Sequence, residues 1–125
     1  MKGIIAVNRK GWIGKNGKLP WHSSEDLQHF KSLTMGCKLL VGYNTASSLP
    51  ALRGRELFIC DRNMPHIDYS HIDWCIGGKR TYEKFCHMFT ELHISHIDND
   101  EEGDVSYPEL RGLRPECKVI HYYFK

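Results

Sequence analysis

This chain has no long apolar run, no Cys-x-x-C pair, no dense stretch of basic residues and almost no excess charge of either sign. Each shortage removes a class of protein. No apolar stretch approaches the roughly 20 residues of a membrane helix, and the first residues lack the order of a secretory signal. The five cysteines, Cys37, Cys60, Cys75, Cys86 and Cys117, are odd in number and irregularly spaced, which argues against a disulfide framework and predicts a reducing, cytoplasmic setting. Lysine and arginine total 17 against 15 aspartates and glutamates, for a net charge of +2. That balance suits small anionic ligands and falls short of a nucleic-acid footprint, so neither nucleic acid nor membrane is expected as a partner. The eight histidines form no helix-face pair with a third ligand, so no metal is expected. With 125 residues, 41% of them hydrophobic, the expectation is one domain over 1–125 with a single core.

Hydrophobic patterning places a buried strand at 3–8, a helix at 24–34, a strand at 38–41 and a short helix near 44–49. Apolar runs follow at 57–60 and 72–76, then an amphipathic stretch at 79–88 and alternating strands at 92–97 and 118–124. Strands separated by helices predict an α/β fold: a mostly parallel central sheet between helical layers, binding ligands beyond the carboxyl ends of its strands.

The densest segment is 13–31. Gly11, Gly14 and Gly17 let the chain bend, Leu19-Pro20 stiffens the exit, and Ser23 stands three residues before Asp26 in the pattern of a capping box. Asp26 is therefore a first-turn cap or, because it shares a helix face with Leu27 and Phe30 beside Trp21, a buried carboxylate in need of a ligand. The acids Asp98, Asp100, Glu102 and Glu109 match most of a calcium loop, but a strand pattern precedes them and Pro108 interrupts them, which argues against a calcium site.

Five features in order, Ile4-Ile5-Ala6-Val7, Ile13-Gly14 to Pro20-Trp21, Asp26-Leu27-x-x-Phe30-Lys31, Gly42-Tyr43-Asn44-Thr45 and Ile76-Gly77-Gly78, resemble dihydrofolate reductase, as do Leu52-Arg53-Gly54-Arg55 and the segment 95–108. The resemblance implies a cytoplasmic enzyme that reduces 7,8-dihydrofolate to tetrahydrofolate with NADPH, for one-carbon and thymidylate metabolism. Asp26 would bind the pterin, Trp21 would order a water beside it, and Tyr82 would lie near the hydride path. Leu27, Phe30, Leu49 and Leu52 would hold the aminobenzoyl ring, Arg55 the glutamyl carboxylate with Lys31 as an auxiliary charge, Ile76 would offer its carbonyl, and Ser95 would hydrogen-bond near Asp26.

On the cofactor side the resemblance implies Ala6, Ile13 and Gly14 at the nicotinamide. Gly42, Asn44, Thr45, Gly77, Gly78, Lys79, Arg80 and Thr81 would surround the phosphates, with a cis peptide joining Gly77 to Gly78. Arg62 would meet the 2′-phosphate; the neighbouring Asp61 leaves NADH possible, since an acid at a strand end suits ribose hydroxyls. Read without the resemblance, Trp21 and the apolar set are also good core residues, and Arg55 is also a good surface cation. Two departures stand out: only eleven turn-like residues lie between Cys60 and Ile72, which predicts a trimmed cofactor-side subdomain at roughly 37–72, and one terminal strand replaces the usual pair. That last strand either ends the sheet or is covered by a second subunit, giving a monomer or weak homodimer. The alternatives are the related-fold pyrimidine reductase of riboflavin synthesis and a non-catalytic folate- or nucleotide-binding structural protein.

Overall fold

The structure is a computed structural model and describes residues 1–60 and 69–125. Its elements are β1 (Lys2–Asn8), β2 (Trp12–Gly14), α1 (Ser24–Thr34), β3 (Lys38–Gly42), α2 (Tyr43–Ser48), β4 (Glu56–Cys60), β5 (Trp74–Cys75), α3 (Lys79–Phe85), β6 (Glu91–Ile97), β7 (Val105–Ser106) and β8 (Lys118–Phe124). Six strands form one parallel sheet in the order β4-β3-β5-β1-β6-β8, and β2 pairs with β7 in a separate antiparallel ribbon.

Parallel strands covered on both faces carry apolar residues without interruption. Leu39, Leu40 and Val41 of β3 are accordingly all 0% exposed. Successive residues then divide between two cores. Ile4, Leu39 and Trp74 face α1 through Phe30 and Leu33, whereas Ile5, Leu40 and Cys75 face α3 through Tyr82 and Phe85. The result is the three-layer arrangement expected from the alternation of strands and helices.

The apolar run 72–76 yields only a two-residue strand. Trp74 and Cys75 pair with Leu39 and Leu40 on one side and with Lys2 and Gly3 on the other. Beyond Cys75 the backbone turns away at Gly77, whose φ of 114° favours glycine, and a cis peptide joins Gly77 to Gly78 as the resemblance implies. β1 meanwhile continues beside β6 as far as Asn8↔Ile97. The sheet therefore opens between the carboxyl ends of β1 and β3.

The ribbon of β2 and β7 was not legible as strands, because three and two residues are too few to show a period. A buried asparagine builds it. Asn8 Oδ1 accepts from the backbone N–H groups of Lys10 (3.1 Å) and Trp12 (3.0 Å), and its Nδ2 donates to the Glu101 carbonyl at 2.7 Å. The calcium-like acids belong to this corner: Arg9 pairs with Asp98 and Asp100, and Lys10 with Glu102, while Val105–Ser106 is strand. At the far edge β8 is a single strand parallel to β6, so among the described residues it ends the sheet. Asp61 and Arg62, and with them most of the shortened connection, lie outside the described residues.

Close backbone approach at Gly3 sets a packing limit, since a Cβ there would penetrate the ring of Phe89, which is 1% exposed. Gly3→Ala should lower stability to urea by about 1–3 kcal/mol, the usual cost of overpacking. In a double-mutant cycle Phe89→Leu should recover part of that loss; strictly additive effects would show that the ring is not the obstacle.

Candidate functional site

Asp26 stands at the first turn of α1 and performs the capping role as well. Ser23 Oγ accepts a hydrogen bond from the Asp26 backbone N–H at 3.2 Å, while the Asp26 side chain is buried, at 7% exposure. Burial pushes its carboxyl above the usual carboxylate range; a hydrogen bond from Ser95 and the nearby His29 imidazole pull it back down. Ser95 is 1% exposed and lies directly across the ladder from Ala6. The acid therefore sits over the carboxyl ends of β1 and β6, at the edge of the opening.

Trp21, 8% exposed, lies three residues before α1, and its Nε1 is buried with no partner among the described residues. A buried indole N–H without a protein acceptor is suited to a bound water or ligand. Tyr82 is buried against Gly77, where an added Cβ would lie 3.2 Å from its hydroxyl oxygen, and that hydroxyl donates to the Ile4 carbonyl at 2.6 Å. Desolvation raises the Tyr82 phenol well above its ordinary range. It remains a neutral donor at physiological pH.

Phe30, Leu52 and Ile76 gather around Leu39 and Trp74 on the α1 side of the opening. Leu27 is largely exposed and shares a shallow groove along α1 with Ser24, Gln28 and Lys31. Leu49 is half-buried just after α2. Arg55 follows the Gly54 turn (φ 76°) and is braced by the Arg53 carbonyl at 3.1 Å and the Thr34 hydroxyl at 3.3 Å. Thr34 closes α1, so Arg55 lies at that helix's carboxyl end, toward Lys31.

On the opposite side of the opening, the turn after β3 meets the turn after β5. The Gly42 N–H donates to the Gly77 carbonyl at 2.6 Å. A Cβ on Gly42 would lie 2.6 Å from Thr81 Oγ1, and one on Gly78 would lie 2.7 Å from Thr45 Oγ1. These glycines leave a backbone-lined cradle with two threonine hydroxyls on its rim, chemistry that fits phosphate oxygens. Asn44 and Arg80 are exposed beside it. Lys79 reaches instead to Ser106 of β7 at 2.7 Å, joining the cradle to the ribbon that carries half-buried Ile13 and Gly14. Below Gly14, the Asn16 N–H donates to the Asp104 carboxylate at 2.9 Å.

Sequence reasoning missed several neighbours of the site: Asn8, His29, His93, Asp104 and Tyr122. Asn8 carried a usable signal, an Asx residue between a strand and Gly11. The two histidines and the tyrosine come from α1, β6 and β8, and no local pattern connects them.

Residues 1–74 match the family described as Dihydrofolate reductase. Curated relatives include Dihydrofolate reductase type 9 of Escherichia coli, 30% identical over 94% of this chain and 83% of its own length. Dihydrofolate reductase type 15 of the same organism is 32% identical over 90% and 84%. Among solved structures, dihydrofolate reductase from Enterococcus faecalis complexed with NADP(H) and RAB-propyl superposes with a TM-score of 0.77 at 25% identity, covering 88% of this chain and 77% of that one.

An acid whose pKa is higher folded than unfolded makes the folded state bind more protons, so stability falls as pH rises through that interval and stays lower above it. For Asp26, raised by burial, the sign predicts that Asp26→Asn increases the melting temperature of the ligand-free protein at neutral pH. The gain should vanish at about pH 3, below the ordinary carboxylate pKa. A thermal scan at both pH values checks it; a lower melting temperature at neutral pH would contradict the cost assigned to this buried charge.

Proposed function

This chain belongs to the dihydrofolate reductase family, and we propose that it reduces 7,8-dihydrofolate to 5,6,7,8-tetrahydrofolate with NADPH, using Asp26 as the anchor of the pterin. The observation that carries this reading is one buried carboxylate, held by Ser95 at the opening of a parallel sheet whose other lip is a glycine cradle.

Asp26 accepts hydrogen bonds from the pterin amino group and adjacent ring N–H, a bidentate, charge-assisted pair. Its negative charge also increases the proton affinity of N5, which takes a proton from solvent. Trp21 walls the site and, through its unpartnered Nε1, orders a water beside Asp26. The Ile76 carbonyl and the Ser95 hydroxyl complete the polar edge. Phe30, Leu49, Leu52 and Leu27 flank the aminobenzoyl ring, and Arg55 receives the tail carboxylate with its braced guanidinium fork.

NADPH supplies the hydride that reaches C6. Thr45, Thr81 and the backbone around Gly42, Gly77 and Gly78 are the groups to hold its phosphates, with Asn44, Lys79 and Arg80 beside them, and Ala6, Ile13 and Gly14 meet the nicotinamide. Tyr82, tied to the Ile4 carbonyl, is a wall of the hydride path whose ring keeps water out. The chain acts as one domain over 1–125 with residues 37–72 as its cofactor side, and as a monomer or weak homodimer in the cytoplasm.

Purified protein mixed with dihydrofolate and NADPH should consume nicotinamide absorbance. Folate binding without oxidation of either NADPH or NADH would leave a binding protein instead. Asp26→Asn removes charge-assisted bonds of about 1.5–3 kcal/mol each and should lower kcat/KM by about 100-fold or more, with the largest loss of turnover at high pH, where N5 is least protonated. Arg55→Leu should raise KM for dihydrofolate by about tenfold with kcat little changed, the signature of uniform binding. Equal losses in kcat and kcat/KM would remove Arg55 from the tail site.

A further inference from the structure

Behind Asp26, away from the opening, a file of polar side chains crosses from α1 to the sheet. His29, three residues along α1, packs its imidazole against Tyr122 with ring centroids 4.1 Å apart and against Phe124 at 5.3 Å. The Tyr122 hydroxyl meets His93 Nδ1 at 2.9 Å, and His93 Nε2 meets the Glu91 carboxylate at 2.9 Å. His93 is itself buried, at 6% exposure, with its ring edge-on to Trp74. Two acids, Asp26 and Glu91, thus terminate a file whose middle is two imidazoles and a phenol.

The file is satisfied at one end and open at the other. His93 uses both ring nitrogens, whereas His29 Nε2 is buried with no hydrogen-bond partner among the described residues. A half-buried imidazole whose Nε2 is shielded from solvent and which is held by ring packing is poorly explained as a hydrogen-bonding strut. It is well explained as a charge-bearing group beside a carboxylate, because positions i and i+3 are neighbours on a helix.

We propose that His29 is a positioning residue for the pterin-binding carboxylate: one helical turn from Asp26 and set by its packing on Tyr122 and Phe124, its imidazolium holds Asp26 in the ionised form that accepts the pterin's hydrogen bonds. The proposal rests on Asp26 being the pterin anchor. Around Asp26 the groups that face it are His29 on its own helix, Ser95 of β6 and Tyr82 of α3. Around His29 they are Asp26, His93 of β6 and, through its ring, Tyr122 of β8.

The electrostatic signs agree with this placement. Burial lowers the His29 imidazole below its usual value, Asp26 raises it, and His93 opposes its charge. His29 is therefore mostly neutral at neutral pH and gains its proton at a lower pH, the range in which a carboxyl pushed up by burial begins to take one. Each proton makes the other site harder to protonate, so the two titrate as a coupled pair.

The test follows the Asp26 carboxyl carbon and the His29 ring by NMR across a pH titration of the ligand-free protein. In the unmodified protein both signals should show two inflections. In His29→Gln and in His29→Phe, which differ in shape but both lack the charge, Asp26 should titrate in one step at a higher midpoint. Tyr122→Phe, which keeps the ring but loses the bond to His93, should leave that midpoint in place. With dihydrofolate, His29→Gln should raise KM by roughly threefold at about pH 5 and leave kcat and the KM at about pH 8 unchanged. An Asp26 midpoint that is the same in both His29 variants overturns the proposal, and so does one that rises in only one of them. A midpoint that moves while KM does not would uphold the coupling and instead count against Asp26 as the pterin anchor.

Discussion

The brevity of β5 governs the rest of the molecule, because the β4-β3 half of the sheet meets the β1-β6-β8 half through the two ladder residues Trp74 and Cys75, with backbone bonds at Asp73, Ile76 and Gly77 on either side of them. Both are buried, and each faces a different core, Trp74 toward α1 and Cys75 toward α3. This short run of backbone bonds, backed by two apolar cores, holds the halves together. The chain then leaves the sheet at Gly77-Gly78, where the Gly77 carbonyl still accepts from the Gly42 N–H at the end of β3, while β1 runs on to Asn8 with no described strand on that side. An opening at the carboxyl ends of parallel strands is where ligands bind in such sheets. Here it is created by the early end of one strand.

The two lips of that opening have opposite chemistry. On one, α1 brings a carboxylate and an apolar flank, and the segment leading into it brings the Trp21 indole. On the other, the turns after β3 and β5 bring backbone and hydroxyls, and their approach is close enough that a Cβ at Gly42 or Gly78 would crowd Thr81 or Thr45. A planar, hydrogen-bonding ring suits the first lip and a polyanion suits the second. Lys79 bridges from the second lip to β7, whose partner β2 leads into the Gly14–Gly17 loop, so the cradle and the covering loop share a connection.

Burying Asp26 costs stability in the free protein and makes the acid useful to a ligand with paired donors. Its surroundings moderate that cost. Ser95 donates a hydrogen bond, His29 places an ionisable ring beside it, and the Ser23 cap fixes the helix turn from which the carboxylate projects.

The helix 24–34, the parallel strands and the Gly42 and Gly77-Gly78 turns were legible in the sequence because they are local: period, caps and glycines act over a few residues. The Ser23–Asp26 spacing likewise foretold the cap bond that forms. What the residues alone left open was whether Asp26 is a cap or a ligand group, and whether Phe30 and Leu52 fill a core or line a site. Burial and register bear on such questions: the cap bond forms while the Asp26 side chain is buried near Ser95, and Phe30 and Leu52 pack against Leu39 and Trp74. The β2–β7 ribbon, the Asn8 corner and the file from His29 to Glu91 were invisible for the same reason. Their partners are dozens of residues apart in the chain, and only the packing of α1 across β6 and β8 brings them together.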